Sequence, residues 1–387
     1  VATATSIPFL DSDWQNRQVR AETLAALDAL TADPSCDSTP FVKALEAAVA
    51  SYHGEGFHAV GAQSGTTAEF LLLRAWGIGP GDEVVTVPNS DLSTTSAISH
   101  VGARFVLVDV GDDHQMDPAR VEAAITPATR AILPVHMHGA PAPMEALADV
   151  ARRHGVLLLE DATIAIGARH RGQLVGTFGD GAFFSFGARK VIGGLGSGGM
   201  VLVRDGDVAE RLRLLRGYGL AGGDAPLAER LARTGQHHVV EGHNLKLDGL
   251  DAAVTSAKLR HLDAWRERRA GVAARYDALL AGVPGLVLPR ARPGDVPAWR
   301  EYTLLADARD GLRAHLSAHG IGSGVHYAPP VHLQPVYATL GLVPGSFPVA
   351  EHLATRLLNL PCGPGLEVEA QERVAAAVRA YPERTAA

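Results

Sequence analysis

Cysteine is nearly absent: Cys36 and Cys362 are the only two in 387 residues. Two thiols allow one bridge at most, which excludes a disulfide scaffold, and they read as free thiols in a reducing cytoplasm. Long apolar runs are missing as well. No stretch approaches the length needed to cross a bilayer, and Val1 to Trp14 has neither a basic start nor a continuous apolar segment, so neither a membrane anchor nor a secretory leader is expected. There is no excess of positive charge. With 42 acidic residues against 35 Lys and Arg, the net charge is −7, which argues against nucleic acid or an anionic membrane as the principal partner. The arginines from Arg204 to Arg233 are interleaved with acids, as on a solvated helical face. Internal repeats, low-complexity tracts and coiled-coil heptads are not found. The expectation is a cytoplasmic globular protein.

What is present is length enough for two or three domains at roughly 100–200 residues each, and a strong alternation of patterns. Short β-branched runs at Val84–Val87, Phe105–Val110, Ala131–Val135, Val156–Leu159 and Ala182–Phe186 read as strands. Between them, Pro118–Ile125 and Pro143–His154 carry apolar residues at helical spacing. Strand, helix, strand in succession predicts βαβ units and a mostly parallel sheet covered by helices on both faces. Gly77-Ile78-Gly79-Pro80-Gly81-Asp82 reads as a turn before a strand. After Leu247 the pattern changes to long Ala-, Arg- and Leu-rich helices over Gly249–Leu280, then a Pro-rich link around Val283–Pro297. Residues 1–250 are therefore read as a large α/β domain with the N-terminal segment, and 251–387 as a smaller C-terminal domain.

Three local patterns carry chemistry. In Leu157-Leu158-Leu159-Glu160-Asp161-Ala162 an apolar run ends in two acids, which puts Asp161 at the carboxyl end of a parallel strand, where open α/β sheets bind ligands; a helix cap or turn acid is the plain alternative. Phe183 to Lys190 leads from a strand into the glycine-rich Val191–Gly199. A lysine there could be a Schiff-base former if burial lowers its amine pKa, or an ordinary solvated lysine. The glycine tail faintly suggests a phosphate cradle but lacks the Gly-Lys-Ser/Thr ending of a P-loop. Gln63-Ser64-Gly65-Thr66-Thr67-Ala68 before the helical Glu69–Trp76 offers N–H groups and hydroxyls to an anion, or simply a Ser cap. His136 and His138 alternate near a strand end, but no third ligand is spaced to complete a metal site.

The order of these pieces, a phosphate seat, an acid and a lysine, resembles the DegT-type sugar aminotransferases, a branch of the fold-type I pyridoxal 5′-phosphate (PLP) enzymes. The matching segments span nearly the whole chain: Ser64-Gly65-Thr66, Gly79-Pro80-Gly81-Asp82-Glu83-Val84, Leu133-Pro134-Val135-His136, Glu160-Asp161-Ala162, Phe184-Ser185-Phe186, Lys190 with its glycines, Gly242-His243-Asn244, Ala257-Lys258-Leu259 with Leu262 and Trp265, and His326-Tyr327 with Val331-His332. The resemblance implies a mostly parallel sheet flanked by helices, with a smaller C-terminal α+β domain. It implies PLP held by Lys190, with Asp161 on the pyridinium nitrogen, and Gly65, Thr66 and Ser185 on the phosphate. Asn244 would reach that phosphate from a second subunit, making a homodimer with shared active sites. His326, Tyr327 and His332 fall at substrate-pocket positions. An amino donor, glutamate or glutamine, would convert PLP to pyridoxamine 5′-phosphate for a keto-sugar acceptor, nucleotide-linked or an aminocyclitol, in amino-sugar or antibiotic biosynthesis.

The chain also departs from that pattern. Asp91 stands where relatives stack an aromatic on the ring, Thr163 and Ile164 where a cofactor-facing Gln or His is usual, Val191 where Asn often follows the lysine, and Lys246 where an Arg follows the Asn motif. Another PLP reaction on a sugar, such as epimerisation, or a degenerate ligand-binding or regulatory relative, therefore stays open. A dehydratase is disfavoured because that branch lacks the lysine.

Overall fold

Strands β1 (His58–Ala62), β2 (Glu83–Thr86), β3 (Arg104–Leu107), β4 (Thr129–Ile132), β5 (Leu157–Asp161), β8 (Gly181–Ser185) and β9 (Gly199–Val203) form one sheet in the order β1-β9-β8-β5-β4-β2-β3 in the computed structural model of the chain. The structure describes residues 6–222, 235 and 237–382; Arg230 and Arg233, part of the arginine series above, lie outside them. From β8 to β3 every pairing is parallel, while β9 runs antiparallel to both β8 and β1. The sheet is thus mostly parallel, and both faces are covered. Ala182, Phe184, Met200 and Leu202 pack into one apolar cluster, whereas their neighbours Phe183, Val201 and Val203 pack into another. That is the two-residue period of a strand buried on both faces.

The five anticipated strands are present within a few residues of their expected bounds. β1 and β9 were not anticipated. His58-Ala59-Val60-Gly61-Ala62 is short and rich in small residues, so its strand character comes from pairing along β9 rather than from local propensity. The helices fall where the pattern put them, at Gly65–Ala75, Pro118–Ala124 and Met144–His154, the last closed by Gly155 in the left-handed conformation at φ 64°. The long helical stretch is two helices, Gly249–Leu259 and Leu262–Leu280.

The link around Val283–Pro297 is more ordered than its prolines suggest. Its Leu286–Val287, strand β10, joins β12 (Tyr302–Ala306) and β13 (Leu357–Leu360) in an antiparallel sheet. Its Asp295–Val296, β11, pairs with β6 (Arg169–His170), which in turn pairs with β7 (Gln173–Leu174). Among the described residues no helix is long and apolar enough to cross a membrane. Both cysteines are free thiols, Cys36 exposed and Cys362 buried.

Candidate active site

Because side chains alternate along β5, its two terminal acids go to opposite faces and do different work. Glu160, wholly buried, binds His136 Nε2 at 3.0 Å and accepts the backbone N–H groups of Gly176, Phe178 and Gly179 at 2.7–2.9 Å. His136 Nδ1 accepts the Ala142 N–H, so the ring is the Nε2–H tautomer and donates to Glu160. His136 is a loop anchor. Asp161, 3 % exposed, faces the other way. Its Oδ1 accepts from the Thr163 hydroxyl at 2.7 Å and the Thr163 N–H at 3.1 Å, and its Oδ2 from the Thr94 hydroxyl at 3.2 Å. Thr94 is itself steadied by Ser90 at 2.9 Å. Burial pushes the Asp161 carboxyl up, against the pull of Thr163 and of Lys190. Among the described residues no cation lies within ion-pair distance of it.

Beside Asp161 the helix Gly65–Ala75 begins. Ser64 caps it reciprocally with Thr67, leaving the first-turn N–H groups of Gly65 and Thr66 without intrahelical partners. The helix end is wedged against the sheet. A Cβ on Gly65 would lie 2.8 Å from Ser185 Cβ and 3.3 Å from Thr163, and one on Gly199 would lie 2.2 Å from the Ser64 carbonyl. Ser185, 9 % exposed, therefore presents its hydroxyl to the same corner as the free N–H groups.

Lys190 sits on the turn after β8. The glycines that follow are not an open cradle: Leu195 and Gly196 donate to Asp251 Oδ1, Gly194 leaves no room for a Cβ against that carboxylate, and Lys258 holds the Gly193 carbonyl. The loop is pinned from the helix Gly249–Leu259, which fixes where Lys190 stands. The Lys190 amine makes no hydrogen bond to a described residue. Burial and then the Arg300 charge lower its pKa, opposed by Asp161, Asp91 and Glu301. Lysine, acid and helix end thus converge.

The remaining candidates separate. Tyr327 is in the site: burial raises its phenol pKa, with Arg300, Glu301, Asp91 and Asp161 all felt. His326 Nδ1 lies 2.9 Å from Glu301 Oε2. His332 is taken up elsewhere, 2.9 Å from Glu351 and edge-on to Phe347. Asp91 is exposed and caps the helix Leu92–His100, accepting the Ser93 N–H at 2.9 Å; its acid has a local structural use that an aromatic would lack. Ile164 lies in the apolar cluster with Val85, Val135 and Met137, and Thr163 takes the place on Asp161. Asn244 is exposed, on an isolated bridge to Gly217.

Thr94, Arg300, Glu301 and Glu69 were not singled out from the sequence. Burial pushes Glu301 up, but Arg300, the His326 ring bonded to it and the His138 ring 3.6 Å away hold it well below the usual range. Glu69 is different. It is 1 % exposed, its Oε1 has no partner, and burial followed by the Asp161 charge lifts its pKa well above normal. A raised carboxyl costs nothing below the unfolded value of about 4.3 and costs increasingly as pH rises toward the folded value. Glu69→Leu is expected to be more stable than wild type by about 1–3 kcal/mol at pH 8, the gap narrowing toward pH 5. Urea unfolding at several pH values checks this; a gap independent of pH would contradict it.

Comparison with known proteins bears directly on this arrangement. The model of the DegT/DnrJ/EryC1/StrS aminotransferase family matches residues 17–379. The chain is 43% identical over 384 residues, covering 99% of this chain and 98% of the relative, to a dTDP-3-amino-3,4,6-trideoxy-alpha-D-glucose transaminase of Streptomyces venezuelae. It is 44% identical, over 97% of this chain and 99% of the relative, to the erythromycin biosynthesis sensory transduction protein EryC1 of Saccharopolyspora erythraea. Among solved structures, S. venezuelae DesV in complex with a ketimine intermediate superposes with a TM-score of 0.88 at 43% identity, over 97% of this chain and 98% of that one.

Proposed function

Because the chain belongs to the DegT/DnrJ/EryC1/StrS aminotransferase family, we propose that this PLP-dependent aminotransferase moves an amino group from glutamate or glutamine to a nucleotide-linked keto-sugar in amino-sugar or antibiotic biosynthesis. Transaminases of dTDP- and UDP-linked sugars among its relatives support that acceptor class. We further propose a cytoplasmic homodimer in which Asn244 of one subunit completes the phosphate site of the other; the exposure of Asn244 is consistent with this.

The residues fit PLP on three counts: the glycine at the helix end where a Cβ would clash with Ser185, and, among the described residues, a buried acid without a cationic partner and an amine that makes no hydrogen bond. When bound, PLP supplies an electron sink and a carbonyl that takes up the amino group. Gly65, Thr66 and Ser185 would bind its phosphate through the open N–H groups and hydroxyls. Asp161, aimed by Thr163 and Thr94, would keep a proton on the ring nitrogen and would gain the cationic partner that no described residue supplies. Lys190 would hold the cofactor covalently, and its Nζ, an amine whose pKa burial lowers, would move the proton at the reacting carbon. Tyr327 and His326 line the substrate side.

The single observation carrying this reading is the Asp161 carboxyl, buried at the carboxyl end of β5 with no cation of a described residue within ion-pair distance. Adding glutamate or glutamine to the purified holoenzyme is expected to shift its absorption to that of the pyridoxamine form, and a keto-sugar to restore it. Holoenzyme whose spectrum responds to sugars but to no amino acid would favour epimerisation, and one responding to neither would favour a regulatory relative.

A further inference from the structure

Between a loop that follows β3, residues 112–115, and the strands β10 and β12 lies a cavity of about 290 Å³ that the proposed chemistry does not use. Much of its wall is apolar, with Met137 on one side and Leu288, Trp299 and Leu305 on the other. Asp112, Asp113 and Arg290 line it as well, and all three are exposed. Its inner end is polar. There the rings of His114 and His138 meet edge-on, His114 Nδ1 lying 3.0 Å from His138 Nε2, and His138 Nδ1 stands 3.6 Å from Glu301 Oε1. Backbone strain gathers at the same place. Six described residues other than glycine have φ in the left-handed region, and three of them, His114 at 67°, His138 at 57° and Trp299 at 50°, line this cavity. Each such residue costs about 1–3 kcal/mol and persists where its surroundings hold it, as they do at ligand clamps.

The charge on Glu301 gives the hydrogen bonds their direction. Against its burial, the adjacent Arg300 keeps that carboxyl ionised. A ring nitrogen turned toward a carboxylate carries its proton there, because a lone pair would be repelled. His138 in its neutral form is therefore protonated on Nδ1, and its Nε2 accepts from His114 Nδ1–H. His114 then shows the cavity an unprotonated Nε2. That atom makes no hydrogen bond to a described residue and, unlike His138 Nδ1 and Glu301 Oε1, is not sealed from solvent. Burial and then the neighbouring His138 lower the His114 pKa to about 3, so the acceptor stays available at neutral pH.

We propose that this cavity is a second ligand site, separate from the cofactor corner, and that it takes an apolar phenol whose O–H donates to His114 Nε2. The volume is about twice the 150 Å³ that accommodates benzene, so a ring with a short alkyl group fits. Trp299 offers that ring an aromatic neighbour, and one acceptor in a largely apolar wall selects for a single O–H. An occupant would touch the loops at 112–115 and 137–140 and also β10 and β12, tying them together.

Calorimetric titration of the purified holoenzyme at pH 8 with 4-ethylphenol tests the site. Ethylbenzene, which lacks the oxygen, and 4-ethylanisole, which can accept but not donate, serve as analogues. Wild type is expected to bind 4-ethylphenol about 5- to 30-fold more tightly than either analogue, and saturation with it should raise the melting temperature. His114→Leu is expected to lose that preference while still binding ethylbenzene. Leu288→Trp keeps His114 and fills the space, so it should weaken all three compounds. No binding of 4-ethylphenol to wild type, or equal affinity for the three compounds, would overturn the site; so would a preference that survives in His114→Leu. Displacement of 4-ethylphenol by a keto-sugar would overturn it as a separate site and make the cavity part of the acceptor's pocket.

Discussion

Lys190→Ala is expected to lose multiple-turnover transamination by about 10⁴-fold or more while leaving the fold and the binding of pyridoxamine phosphate in place. The substitution removes an amine that makes no hydrogen bond to a described residue, and with it both the proposed covalent link and the proposed proton carrier. It leaves the phosphate corner at Gly65, Thr66 and Ser185 untouched. Nothing in the surrounding loop depends on the Lys190 amine: its turn is closed by backbone bonds, by Asp251 on Leu195 and Gly196, and by Lys258 on Gly193. Circular dichroism and melting temperature should therefore match wild type. Near-normal turnover in this variant would remove Lys190 from the chemistry.

Asp161→Ala is expected to lower the single-turnover rate with glutamate by about 10²–10³-fold, and Asp161→Glu by much less, because the ring nitrogen needs an acid beside it to stay protonated. The stability effect has the opposite sign. Burial raises the Asp161 carboxyl in the absence of cofactor, so its ionised form costs folding free energy above the unfolded value of about 3.9. Apo Asp161→Ala should melt no lower than apo wild type at pH 7, a result that a purely structural strand-end acid would not give. Similar single-turnover rates for Asp161→Ala and wild type would move the electron-sink role elsewhere.

How far the sequence reaches depends on how local the cause is. The parallel core of the sheet could be read because β2, β4, β5 and β8 each contain or run into a short apolar stretch, with helix patterns between β2 and β5. The reversal of β9 could not, since an apolar strand looks the same in either direction. Asp161 and Lys190 could be picked out by residue type at the ends of recognisable strands. The partners that orient or bias them could not. Thr94 arrives on a helix after β2, and Arg300 sits just ahead of β12, more than a hundred residues beyond Lys190, so only the folded chain brings them to the site. Thr163 was noticed only as a departure, although an Asp two residues before a Thr is a recurrent hydrogen-bonded turn. The glycine tail after Lys190 suggested a cradle because composition does not tell what the missing Cβ atoms make room for. At Gly194 it is the Asp251 side chain.

The chain has four lysines, Lys43, Lys190, Lys246 and Lys258, and one of the others is a physical rival. Burial lowers the Lys258 pKa to about 8, which by itself also describes a nucleophilic amine. Its geometry does not, since Asn16 Oδ1 at 2.7 Å and the Gly193 carbonyl already occupy it. Borohydride reduction of the holoenzyme followed by peptide mass mapping decides between them. The account predicts a single pyridoxyl adduct, on the peptide containing Lys190; an adduct on Lys258, or none on any of the four, would contradict it.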